Sequence, residues 1–432
     1  MVPDIDRIHE LVDLLGSPQR AFPSIHITGT NGKTSTARMA DALLRGFGLR
    51  PGRYTSPHLE SWTERITIDG KPVPEATFGA VYDEVSPLAD LVDTRHPDRV
   101  TTFELLTAMA FAAFADAPVD VGVVEVGMGG TWDATNVLHA PVAVVTPVAL
   151  DHRELGATVA EVAGEKAGIV HPGATLVLAQ QRLEAAEVLL RRAAEVGATV
   201  AREGLEYGVL SRSVAVGGQM VTLQGLRGVY SDVFLPLHGA HQAANAASAL
   251  AAVEAFLGGG VVLDGDRPGG SDQPLDLEAV REGFASADSP GRLEVVRRSP
   301  TLLLDGAHNP AGAEALAAAL HEAFDFRHLV GVVAVLGDKD VTGMLEALEP
   351  VLDAVVVTQS SSARALPADD LAALAVEVFG EDRVEVAPRL DDALDAGIRL
   401  AEEDAEELSG VGVLVTGSIV TVGEARTLLR RR

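Results

Sequence analysis

The 432-residue chain contains no cysteine, and this absence removes disulfides, thiolate metal sites and cysteine nucleophiles at once. Oxygen ligands, histidine and lysine are left to carry any chemistry. Lysine is scarce too: it occurs only at Lys33, Lys71, Lys166 and Lys339, and arginine supplies the remaining basic charge. Aromatic residues make up 4% of the chain, and its apolar runs near 119–126 and 142–150 are too short to span a bilayer. No signal-peptide layout precedes the first apolar segment, so the chain is expected to be cytoplasmic with no membrane partner. Basic residues number 34 against 62 acidic ones, a formal net charge of −28. Such a surface repels nucleic acid and anionic lipid, so any bound anion needs a locally concentrated positive site.

A hydrophobic content of 47% with 22% charge is the balance of a globular protein long enough for more than one core. From residue 24 to about 196, short β-branched runs alternate with alanine-rich helical stretches, which predicts an α/β domain with a mostly parallel sheet. Its expected strands are 24–28, 120–126, 142–147 and 175–179. Glycine-separated β-like runs over 198–237 predict a small antiparallel β insert, followed by a helix from about His241 to Phe256 and a flexible loop over 258–273. Past Ser289-Pro290-Gly291, strand-like segments at 301–304, 330–336, 354–358 and 411–416 alternate with helices as a smaller Rossmann-like α/β unit. The expected domains are therefore 1–289 and 290–432, without internal repeats.

The first chemical signal lies where the run Ser24–Thr28 breaks into Gly29-Thr30-Asn31-Gly32-Lys33-Thr34. Glycines let the backbone N–H groups turn inward, Lys33 reaches β/γ-phosphates, and a helix over Thr34–Phe47 offers its positive end. ATP is the ligand this layout implies, although Ile27 stands where a complete P-loop has its first glycine. At the end of the next long strand, Glu125 is followed by a glycine loop with polar groups through Asn136. A carboxylate in an apolar run calls for a cation, either a metal or an arginine partner. His152 ends another strand, as a ligand or as a satisfied polar residue. Lys166, near Glu161 and Glu165, reads by default as an ion pair.

Farther on, His241 and Asn245 share a helix face, from which the amide could meet an adenine edge. Arg292 stands at the domain boundary, within reach of a phosphate, and Asp305 and His308 end the first strand of the second unit. Gly337-Asp338-Lys339-Asp340 has a faint likeness to a guanine-reading motif but lacks the other parts of a GTPase.

Several segments in order, Gly29–Lys33, Tyr54–Leu59, Thr102–Glu104, the glycine loop from Glu125, Glu165–Ile169, Asn245, Gly291-Arg292 and Asp305–Pro310, resemble the folylpolyglutamate synthase and dihydrofolate synthase family of Mur-type ligases. The resemblance runs over nearly the whole chain. It implies ATP-dependent amide formation: a folate or dihydropteroate carboxylate attacks the γ-phosphate, and L-glutamate then displaces phosphate from the acyl phosphate. It implies an ATP loop of Thr30, Asn31, Gly32, Lys33 and Thr34, with Asn245, Arg292 and Asp305 contacting ATP from the two sides of an interdomain cleft. Ser56, Glu125 and His152 match Mg2+ ligands, and Lys166 matches a lysine that becomes carbamylated. Lys33, Lys166 and His308 are the expected catalytic residues. Thr101, Thr102, Phe103 and Glu104, with Trp132, Asp133 and Ala134, match the pterin-binding region, where Phe103 or Trp132 would stack on the ring. Thr34 and Thr131 depart from the family pattern, which usually has glycine and often has arginine there. The family also suggests a monomer. A cell-wall amino-acid ligase of the Mur type and a nucleotide-binding regulator without catalysis are the alternatives.

Overall fold

Strand β1 (Ser24–Thr28) is buried at every position, and so is β5 (Val121–Glu125), whose β-branched run has no polar face to show to water. Strands of this kind need helices on both sides and belong at the centre of a parallel sheet. The computed structural model describes residues 4–151, 153–258, 273–403 and 410–430 and puts both strands at the centre of an eight-stranded sheet. Its other strands are β2 (Pro51–Tyr54), β3 (Ile66–Ile68), β4 (Lys71–Pro72), β6 (Val142–Val145), β7 (Thr175–Leu178) and β8 (Thr199–Arg202). The order is β4-β3-β2-β5-β1-β6-β7-β8. Strands β2, β5, β1, β6, β7 and β8 run parallel, with Ile27 beside Glu125 and Val144. β3 and β4 join antiparallel at one edge.

The chain divides into two compact units, the first of residues 1–215, 220–236 and 242–288, the second of 216–219, 237–241 and 289–432. In the first, the helices Asp6–Leu14, Glu75–Asp93 and Thr102–Asp116 build one apolar layer, and Val159–Lys166 and Leu183–Val196 build another. β1 lies between β5 and β6, so the chain leaves β1 toward one side of the sheet and β6 lies on the other. In open α/β sheets, ligands bind outside the carboxyl ends of strands at such a reversal. Strands β9 (Gly208–Ala215), β10 (Gly218–Gln224) and β11 (Val229–Leu235) form a separate three-stranded sheet.

In the second unit a six-stranded sheet has the order β12-β13-β17-β14-β15-β16. The strands are β12 (Glu294–Arg298), β13 (Thr301–Leu304), β14 (His328–Val333), β15 (Ala354–Val357), β16 (Val384–Val386) and β17 (Val411–Thr416), parallel apart from β12.

The α/β reading agrees with this architecture, with local differences. The run 199–202 belongs to the main sheet as β8, and the small β insert starts after it. β2 opens with Pro51-Gly52 and β4 has two residues, so neither carries the β-branched run that marks a strand in sequence. β12 reads Glu-Val-Val-Arg-Arg, with charged residues at both ends and no buried position, as an antiparallel edge strand allows. Of the expected flexible loop over 258–273, residues 259–272 lie outside the described residues.

A buried polar device fixes one helix start. Thr101 caps Thr102–Asp116: its hydroxyl accepts the Glu104 N–H at 3.2 Å, and Glu104 Oε2 accepts the Thr101 N–H at 2.6 Å. Arg7 pairs with the other carboxylate oxygen at 3.1 Å, and both side chains are almost fully buried. Arg7→Ala leaves that carboxylate uncompensated and is expected to cost about 3 kcal/mol, against about 1 kcal/mol for Thr101→Ala, as read from urea unfolding midpoints.

Candidate active site

Beyond Thr28 the chain turns through Gly29 (φ +145°) and Gly32 (φ +89°) into the helix Lys33–Gly46. Both positions need glycine. A Cβ on Gly29 would fall 1.8 Å from Thr146 Oγ1, and one on Gly32 would fall 2.4 Å from Asn245 Oδ1. The turn is fastened to the loop after β6: the Thr30 hydroxyl donates to Ala149 O and accepts from Ala149 N, each at 2.9 Å. Asn245, buried on the helix Ala240–Gly258, donates to Gln242 Oε1 at 3.1 Å, and Gln242 donates to Ser35 Oγ at 3.3 Å. The amide therefore backs the turn Gly29–Lys33.

Two of the four lysines meet at one carbonyl. Lys33 Nζ donates to Gly29 O at 3.0 Å and to Thr30 O at 3.1 Å, and Lys166 Nζ donates to Gly29 O at 2.8 Å. Lys166 closes the helix Val159–Lys166 and is 3% exposed. Burial and, next, the Lys33 charge push its pKa down from 10.5 to about 7. The default ion pair does not form. Glu161 closes a capping box with Thr158, and the Glu165 carboxylate accepts from Gly130 N and Trp132 N. Asp151 lines the same recess as Gly29, Thr30, Lys33 and Lys166.

Glu125 ends β5 at 1% exposure beside this recess. The Thr34 hydroxyl donates to its oxygens at 2.8 and 3.0 Å, and Ser56 N donates to Oε2 at 3.2 Å. One buried carboxylate and two hydroxyl residues form a hard oxygen donor set, which suits Mg2+. Mg2+ is held by one or two carboxylates together with phosphate and water, so the lack of a cluster of three acidic or histidine groups among the described residues does not conflict with it. His152 lies outside the described residues.

The glycine loop after β5 is built onto the Lys166 segment. Thr131 donates through both N (3.0 Å) and Oγ1 (3.0 Å) to Glu165 O, and a Cβ on Gly130 would come within 2.7 Å of that oxygen. Among the expected pterin residues, Trp132 is 52% exposed and Phe103, partly buried, packs against Gly127. Asp133 and Ala134 are buried, and Asp133 Oδ2 accepts Met128 N at 2.9 Å. Thr101 and Glu104 are engaged in the capping box, and Thr102 opens the helix. The sequence reading took Glu165 only as an ion-pair partner of Lys166, whereas its carboxylate holds the loop, and it singled out neither His26 nor Thr135. A histidine inside the all-buried strand Ser24–Thr28 was the available signal.

In the second unit, Asp305 follows β13 and accepts from Leu293 N and Ala307 N, each at 2.8 Å. Burial raises its pKa against the opposing charge of Arg292. His308 Nδ1 is 2.8 Å from Gly306 O, a carbonyl that can only accept, so Nδ1 is the donor there. Asp340 of the set-aside Gly337–Asp340 segment caps the helix Val341–Leu348, and Asp338 pairs with Arg364 at 2.6 Å.

Native Lys166 releases its proton near pH 7, whereas an unfolded lysine holds it to about 10.5. Unfolding therefore takes up a proton between these values, and the stability of the wild type relative to Lys166→Met should rise with pH across that window, as denaturant titrations at successive pH values would show.

Residues 27–253 match the Mur ligase middle domain and residues 291–419 match the Mur ligase glutamate ligase domain. The dihydrofolate synthase/folylpolyglutamate synthase of Mycobacterium tuberculosis is 54% identical over 99% of this chain and 90% of its own length. A crystal structure of the M. tuberculosis folylpolyglutamate synthase complexed with ADP and AMPPCP superposes with a TM-score of 0.93 at 55% identity, covering 100% of this chain and 96% of that one. A folylpolyglutamate synthase complexed with AMPPCP and folate gives a TM-score of 0.84 at 30% identity, covering 99% and 95%. By these matches, over both of its units, the chain belongs to the Mur ligase family, in the group of folylpolyglutamate and dihydrofolate synthases.

Proposed function

We propose that this chain is an ATP-dependent ligase that joins L-glutamate to the carboxylate of a folate and of dihydropteroate, acting as both folylpolyglutamate synthase and dihydrofolate synthase. The observation that carries the reading is the convergence of Lys33 and Lys166 on Gly29 O, beside Glu125, Thr34 and Ser56 at the carboxyl ends of β1 and β5. The substrate carboxylate attacks the γ-phosphorus of ATP, ADP leaves, and an acyl phosphate forms. The glutamate amine then attacks the acyl carbon, inorganic phosphate leaves, and the amine gives up a proton. Neither step needs a protein nucleophile. What the protein must do is bring anions together, and Lys33, the N–H groups of the loop and the helix end Lys33–Gly46 oppose their repulsion.

Glu125, Thr34 and Ser56, with His152 by resemblance, would hold Mg2+, which would neutralise charge on the phosphate oxygens. Trp132 and Phe103 serve the pterin, Asn245 backs the ATP loop, and Arg292, Asp305 and His308 keep the roles that the family resemblance implies for them. Lys166 is the proposed site of carbamylation. Its depressed pKa supplies the neutral amine that adds to carbon dioxide, and loss of a proton turns a buried cation into an anion able to help hold a metal. The enzyme is taken to be a cytoplasmic monomer without nucleic-acid or membrane partners. The charge of −28 supports the first exclusion, and no helix among the described residues is long and apolar enough to cross a membrane.

Phosphate release from Mg-ATP and L-glutamate is expected with both dihydropteroate and a reduced folate. Release with one acceptor alone would restrict the activity to that reaction, and release only with a UDP-muropeptide would make the chain a cell-wall ligase. Lys33→Ala should abolish release, and turnover like the wild type would remove Lys33 from the site. Lys166→Ala should lose activity and recover part of it with a short carboxylic acid replacing the carbamate. Full activity without the acid would exclude a role for that lysine.

A further inference from the structure

His26 is fully buried in β1, with Val124 of β5 and Ala143 of β6 as register partners. Its Nε2 lies 2.8 Å from Thr135 Oγ1, and Thr135 Oγ1 lies 2.5 Å from Asp133 Oδ1. Asp133 Oδ1 also accepts Thr135 N at 2.9 Å, and Oδ2 accepts Met128 N at 2.9 Å. Surrounded by N–H donors, Asp133 is the acceptor in this chain. The single hydroxyl proton of Thr135 points to it, so Thr135 must accept from His26. The ring proton is thereby fixed on Nε2. Nδ1, buried and with no partner among the described residues, carries none.

An unpaired buried nitrogen is costly, and a valine or leucine would fit an apolar strand without it. What the imidazole contributes is the Nε2–H bond. We propose that His26 is a positioning residue that acts through Thr135 and Asp133 to set the glycine loop Gly127–Trp132 against the Lys166 segment and so shape the pterin side of the site. This rests on the ligase reading above. The core of the ATP-binding strand is thus tied to the loop on the acceptor side, and one ordered proton chain fixes their separation.

Two substitution pairs test it. His26→Leu and Thr135→Val remove the chain, whereas His26→Gln keeps a donor and Thr135→Ser keeps the hydroxyl. In the first two, amide hydrogen exchange over residues 127–136 should accelerate on the order of tenfold while residues 29–36 keep their protection, and KM for the pterin acceptor should rise about tenfold with kcat and KM for ATP nearly unchanged. The conservative variants should stay within about threefold of wild type in both readouts. Unchanged exchange and KM in Leu and Val variants would overturn the proposal, and so would exchange that accelerates evenly across the sheet with a lower Tm, because packing alone would then explain it. If the wild type turned over no pterin acceptor, the ligase reading would fail, while the exchange data would still decide whether His26 holds the loop.

Discussion

The carbonyl of Gly29 is where the first unit is drawn together. An amide oxygen accepting two lysine amines has to be presented by backbone that no side chain obstructs, and the two donors come from separate elements, the helix Lys33–Gly46 and the end of the helix Val159–Lys166. Two ammonium groups this close repel each other. Burial of Lys166 first, and then this repulsion, depress its pKa, and this makes Lys166 a neutral nucleophilic amine at a pH where an ordinary lysine is charged. The loops after β1, β5 and β6 then need only short polar contacts to close around the same point, through Thr30, Thr28 and Glu165.

The parts of this arrangement most legible in the sequence are those set by local backbone chemistry. Gly29 and Gly32 mark the turn because only glycine fits it, and the apolar runs Val121–Val124 of β5 and Val142–Val145 of β6 mark a sheet covered on both faces. Lys166 attracted notice through the scarcity of lysine, but sequence spacing pointed to its near neighbours Glu161 and Glu165 and not to a carbonyl 137 residues distant. The same limit applies to Glu104. As Thr-Phe-Glu it reads as part of a binding segment, whereas its carboxylate closes a helix cap and neutralises Arg7 from another helix. Spacing reports on neighbours along a helix or strand, and long-range polar pairing is decided by which elements the sheet order brings together.

His26 shows how such pairing can hide in plain view. In sequence it is a polar letter between Ile25 and Ile27 in a short strand that also holds Ser24 and Thr28. In the fold it faces Thr135, itself placed by a 3-10 turn that Asp133 caps. A buried neutral histidine with one satisfied nitrogen works as a rigid spacer of fixed polarity.

The position of β1 between β5 and β6 also bears on how the protein comes into being. Ser24 pairs with Gly122, and Thr28 pairs with Val145, so the strand that leads into the loop Gly29–Lys33 has no hydrogen-bonding neighbour until most of the first 145 residues have been synthesised. Lys166 reaches Gly29 later still, and Asn245 comes against Gly32 last. Such high-contact-order pairing is slow and leaves apolar edges open in the meantime. On the ribosome the loop Gly29–Lys33 is therefore made early and is one of the last parts of the first unit to be finished.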